Sequence, residues 1–235
     1  MDGDSSGSGS SAQGFNPRPE PEHLRPPCYD FHMVSHASVS AGEYVPTADQ
    51  RVVMYGVPWS HYEAQLALRG DKSAPRISYL DGALEIMSPS KDHERIKSYI
   101  GRLIEAYALE RGIDLSPYGS WTLKSAPRTS GAEPDECYIV GSDQAATTPH
   151  LAIAVAWTTG GIEKLEIYRR LGVGELWIWK EGRIEVHLLR GDRYERSERS
   201  VLFPDLDVAQ LVPFLDRPTA LQAVRAFRDA LRKPG

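Results

Sequence analysis

The run at 151–157, Leu-Ala-Ile-Ala-Val-Ala-Trp, carries no polar side chain. It is far too short to span a membrane as a helix. It also shows no alternation, so it does not read as a strand with one wet face. A central strand covered on both faces is the reading that remains. Thr158-Thr-Gly-Gly follows, then a predicted helix at 161–171 with Ile162, Leu165, Tyr168 and Leu171 on one stripe, then a second apolar run, Leu176-Trp-Ile-Trp. Strand, helix, strand in that order is a natural right-handed crossover between central strands.

The remaining elements fall around this unit. Pro58 opens a helix at 59–69, closed by Gly70. Asp81-Gly82 between apolar runs predicts a hairpin with strands at 76–80 and 83–88. Ser88-Pro-Ser caps a long helix at 91–111, where Ile96, Ile100, Leu103, Ile104 and Tyr107 recur at three- and four-residue spacing before Gly112. A strand broken near Pro117 covers 115–124, a polar connection 125–132, and another strand 135–140. Glu181-Gly182 turns the strand at 176–179 into one at 183–189. Irregular β structure or a strand pair follows at 190–203, then a short helix at 208–215 and an amphipathic one at 219–232. An extended piece at 51–55 precedes them all. The order argues for an α/β (α+β) fold with one mixed β-sheet flanked by helices.

Four segments result: a Gly/Ser/Pro-rich tail at 1–27, expected to be disordered because it has little apolar surface to bury; a lead-in at 28–56; the main domain at 57–217; and the C-terminal helix at 218–235. At 235 residues the chain is long enough for one full core. Its net charge of −5 argues against a protein that grips nucleic acid by bulk charge, so such contact must be local, metal-bridged or transient. Cys28 and Cys137 have no metal-ligand spacing and imply no disulfide framework, which suits a reducing, cytoplasmic setting. No secretory leader or membrane span is expected.

The chemistry gathers in a few positions. In Glu133-Pro134-Asp135-Glu136, Pro134 belongs at the start of a strand, which leaves Asp135 there to face a metal or to sit in a solvated acidic turn. Glu85 points away from Leu84 and Ile86, toward either solvent or the floor of a cleft. His93 lies in the first turn of the long helix, where a histidine more often serves the helix start or supports a ligand from behind than binds a metal itself. Lys164 shares a helix face with Tyr168 and is either a surface charge or a cation that stabilises a phosphate.

Taken together, Asp81-Gly-Ala-Leu-Glu-Ile-Met-Ser-Pro-Ser with His93 after it, Glu133-Pro-Asp-Glu, Leu151-Ala-Ile-Ala-Val, Lys164-Leu-Glu-Ile-Tyr-Arg-Arg-Leu-Gly-Val and Glu175-Leu-Trp-Ile-Trp resemble the Uma2-type restriction endonucleases. These belong to the PD-(D/E)XK nuclease superfamily, and the resemblance runs from about residue 57 to 215. It implies a restriction-endonuclease-like fold and Mg²⁺-dependent hydrolysis of DNA. It also implies a catalytic set of Asp135, Lys164, Glu85 and His93, with Asp135 as metal ligand and Glu85 helping it.

The chain departs from that pattern at residue 154. The resemblance calls for Leu-Ala-Ile-Glu-Val, and the second metal carboxylate is replaced by Ala154. Glu136, Glu163 and Glu85 are the candidates to compensate. Three readings follow: a DNA endonuclease impaired at its metal site, an inactive nuclease-fold module that binds DNA or a protein, and a homodimer formed through the Trp177/Trp179 strand or the terminal helix.

Overall fold

The structure is a computed structural model that describes residues 47–125, 127–143, 145–156 and 161–232. The expected tail at 1–27, most of the lead-in, Cys28, and the turn after the apolar run, with Trp157, lie outside those residues. Residues 45–235 belong to one unit.

The apolar run forms β8 (Leu151–Ala156), and Leu176-Trp-Ile-Trp lies in β9 (Glu175–Lys180). The two pair in parallel, with α3 (Lys164–Arg170) between them in sequence. Around them the sheet runs β11 (Arg193–Ser197), β10 (Arg183–Arg190), β9, β8, β7 (Glu136–Val140), β4 (Leu115–Pro117). All its other pairings are antiparallel, so this six-stranded sheet is mixed.

The side chains of β8 divide cleanly. Leu151, Ile153 and Val155 pack with Ile96, Ile100, Leu103, Ile104 and Tyr107 of α2 (Lys91–Arg111). Ala152 and Ala154 pack on the other side with Ile167 and Tyr168 of α3. The period of two along the strand delivers one row to each face. The fold is thus α+β, with a mixed sheet flanked by helices.

One expectation is corrected. The strands do not join a single sheet. A second, antiparallel sheet runs β1 (Gln50–Met54), β3 (Ala83–Ser88), β2 (Arg76–Leu80), β6 (Ser130–Ala132), β5 (Leu123–Lys124). The predicted strand at 115–124 is two strands, one in each sheet, and the predicted polar connection holds the buried strand β6. The chain passes from β6 in the small sheet to β7 in the large one at Glu133-Pro134-Asp135. Pro134 has no N–H for a ladder, so strand pairing is interrupted there.

The turns follow their residues. Asp81 and Gly82 have φ of 43° and 89°, and Glu181 and Gly182 have 49° and 77°. Positive φ at both central positions is what a tight two-residue hairpin turn requires. The segment Val208–Phe214 is 3-10 rather than α-helical, with Pro213 inside it, where a missing N–H disfavours the regular helix. The terminal helix α4 (Ala220–Leu231) buries Phe227 in the same cluster as α2. Trp177 and Trp179 are buried in that cluster too, on a strand flanked by β8 and β10, so they offer no interface. Among the described residues no helix is long and apolar enough to cross a membrane.

Candidate functional site

Two structural features bring the distant motifs together. The first is the β2–β3 hairpin. Its apolar face, with Ile77, Tyr79 and Leu84, packs on Tyr62 of α1 (Trp59–Arg69). Its other face carries Arg76 opposite Met87 and Ser78 opposite Glu85. Arg76, Ser78 and Glu85 are nonetheless buried, at 4%, 2% and 1% exposure. The alternation that suggests a solvent face is the floor of an interior cleft. The second feature is the alanine row of β8, which meets that polar face.

Asp135 is fixed from three directions. Its N–H donates to the Ile153 carbonyl (3.0 Å), and its Oδ2 accepts from the Val155 N–H (2.8 Å), which pins it to the backbone of β8. Its Oδ1 lies 3.0 Å from His93 Nε2 and 3.7 Å from Arg76 Nε. Burial by itself would raise the Asp135 pKa, but the His93 hydrogen bond and charge, with Arg76 and the Val155 N–H, hold it below the ordinary carboxylate value.

His93 is fully buried at the start of α2, where its N–H donates to the Ser90 Oγ of the N-cap (3.2 Å). Its Nδ1 is 3.0 Å from Asp49 Oδ2. Burial disfavours the imidazolium, yet the two carboxylates outweigh it and hold the His93 pKa at about 9. His93 is therefore a cationic bridge between Asp49 and Asp135. Asp49, in the lead-in, carries no motif, and sequence reasoning missed it.

Glu85 is equally engaged. Its Oε1 accepts from Lys164 Nζ (2.9 Å), and its Oε2 accepts from the Ile162 N–H (3.1 Å) and lies 3.3 Å from Arg51 Nε. Lys164 also donates to Ser78 Oγ (3.0 Å). Gly161, at φ +99°, passes so close to Glu85 and Arg51 that a Cβ there would overlap the carboxylate. Glu133 accepts from Thr122 Oγ1 (2.6 Å) and pairs with Arg69.

A cavity of about 60 Å³ lies where these groups meet. Arg51, Arg76, Glu133, Asp135, Ala154 and Lys164 contribute to its lining. The structure thus places Asp135, Lys164 and Ala154 around one space. Glu85 joins them through Lys164, and His93 stands behind Asp135.

Among the described residues the donor set does not fit Mg²⁺. That ion requires a near-octahedral shell of oxygens. Among the described residues no group of three or more His, Cys, Asp or Glu is arranged to hold a metal. Asp135 and Glu85 each spend both oxygens on cations and backbone N–H groups. The candidates for compensation stand elsewhere: Glu163 caps α3 by accepting from the Leu165 N–H (3.3 Å), and Glu136 lines a separate depression with Glu94 and Glu105.

No curated protein matches the chain. One solved structure similar to it is described as a putative nuclease belonging to DUF820 from Anabaena variabilis, at a TM-score of 0.41 and 10% identity, covering 63% of this chain and 94% of that one. The model of the Uma2 family, described as putative restriction endonuclease, matches residues 59–222. That match spans the hairpin, α2, the alanine row and the lysine helix, and the chain belongs to the Uma2 family.

Proposed function

We propose that this chain uses a nuclease fold to engage DNA but, with Ala154 in place, does not support Mg²⁺-dependent hydrolysis. One observation carries the reading: Ala154 lines the same cavity as Asp135 and Lys164. The one side chain that would complete a carboxylate pair there ends at a methyl group. The carboxylates that remain nearby are neutralised by His93, Arg76, Lys164, Arg51 and Arg69. Removing groups that merely orient metal ligands costs about tenfold to a hundredfold in affinity or activity, and loss of a ligand itself costs at least as much. The family supports DNA as the partner.

The test is cleavage of plasmid DNA in Mg²⁺, with binding read in parallel by fluorescence anisotropy. The unaltered protein should bind DNA without cutting it, and Ala154→Glu should gain metal-dependent cleavage. Cleavage by the unaltered protein that disappears in Asp135→Asn contradicts the proposal. A second reading, a working metal-dependent endonuclease of DNA, is favoured by the shared cavity of Asp135 and Lys164 and would show itself in that same result.

A further inference from the structure

The charges at the cavity are paired, but not every donor among them finds an acceptor. Asp135 has His93 at 3.0 Å, Glu85 has Lys164 at 2.9 Å, and Glu133 has Arg69. Arg76 has no equivalent. Its two carboxylates lie at 3.7 Å and 3.9 Å, beyond hydrogen-bond reach, and the nearer oxygen is the one His93 holds. Arg76 is 96% buried, yet its Nε and Nη1 are enclosed without an acceptor among the described residues. A buried charged donor left unmet carries the full penalty of its desolvation. Such a group in a folded protein calls for an acceptor that the described residues do not supply. Lys164 adds to this, because two of its three N–H donors are committed, to Glu85 and Ser78.

We propose that the cavity beside Ala154 is a binding site for a phosphate oxyanion, held by Arg76 and Lys164 without a bridging metal. The volume agrees. A water requires roughly 10–15 Å³ by this measure, so about 60 Å³ admits a few waters or one small tetrahedral anion. Asp135 and Glu94 face the charge of Arg76 from 3.7 Å and 3.9 Å but accept nothing from its Nε or Nη1; an oxyanion in the cavity would accept charge-assisted hydrogen bonds there, stronger than those a neutral water accepts. The donors arrive from separate elements, β2 and α3, which suits a tetrahedral anion better than a flat carboxylate. Two sources carry this chemistry: free inorganic phosphate and the terminal phosphate of a nucleic-acid strand. The inference needs only the cavity and Arg76, not the DNA reading.

The experiment is calorimetric titration of the full chain with inorganic phosphate, with chloride holding ionic strength constant. One-to-one saturable binding is expected. Arg76→Lys should weaken it at least tenfold. Ala154→Glu, which places a carboxylate against the Arg76 donors, should abolish it while circular dichroism shows an intact fold. That variant keeps the test decisive if Arg76→Lys does not fold. A 5′-phosphorylated oligonucleotide that binds at least tenfold tighter than its 5′-hydroxyl twin, and is displaced by inorganic phosphate, identifies the strand end as the source. Equal affinities for the twins beside saturable phosphate binding identify free phosphate. No saturable binding, binding unchanged in folded Ala154→Glu, or acetate binding as well as phosphate overturns the inference. Phosphate binding without any DNA binding leaves it standing and overturns the DNA reading instead; DNA binding without phosphate binding does the reverse.

Discussion

The two faces of β8 are built on opposite principles. Leu151, Ile153 and Val155 fill the space against α2 with large apolar side chains. Ala152 and Ala154 carry only methyl groups toward α3, and beyond Ala154 lies a cavity ringed by buried charges. One strand therefore serves a close-packed core on one side and a polar cleft on the other. The packed face is tuned by volume, where each missing methylene leaves a void. The cleft face is tuned by charge, where each group needs a counter-charge or an acceptor.

The sharpest way to break this comparison is to remove a charge from the cleft without changing its shape. Asp135→Asn leaves the His93 imidazolium buried with one carboxylate fewer. Breaking a buried pair from one side costs about 3–5 kcal/mol, and urea unfolding should show a loss of that order. A loss well under 1 kcal/mol would mean that the cleft charges are not coupled as described. On the opposite face, Ile153→Ala should cost about 2–5 kcal/mol in the same assay, through transfer and cavity terms alone and without change in pH dependence.

The titration of His93 gives a smaller effect. The folded-state pKa of His93 is about 9 against 6.5 for the free side chain. Between those values the folded protein holds a proton that the unfolded chain has released. Stability is then fully present below pH 6.5 and falls as pH rises toward 9, by at most about 1.4 kcal/mol per pH unit. Unfolding curves across that window should show the decline in the unaltered protein and in Ile153→Ala, and a flattened profile in His93→Gln. The smallest change is expected from Ala154→Glu. Its carboxylate enters beside the Arg76 donors, and stability should move by less than about 1 kcal/mol because a charge-assisted hydrogen bond offsets the desolvation. A glutamate at Ile153, on the packed side, should prevent folding.

Much of the packed face was legible in the sequence. The unbroken run at 151–157 and the three- and four-residue spacing in α2 report burial directly, because apolar periodicity is what a core imposes. The cleft face was legible only in part. Asp135, Glu85 and Lys164 stand in readable motifs, and the structure brings them near one cavity. Arg76, Ser78 and Glu85 alternate with apolar residues just as a wet strand face does, and no local pattern separates a buried polar face from an exposed one. Asp49 sits in a segment without periodicity, and its role comes from a contact 44 positions away in the chain. The division into two sheets turns on Pro134. Its effect on strand pairing was visible, but its consequence for topology depends on where the chain goes next.

The central claim is that the cleft beside Ala154, as proposed, suits an anion and not Mg²⁺. It is tested most directly by calorimetric titration of the unaltered protein and of Ala154→Glu with MgCl₂. The account predicts no saturable Mg²⁺ binding to the unaltered protein and one binding event in Ala154→Glu. Saturable binding to the unaltered protein, lost in Asp135→Asn, would contradict it.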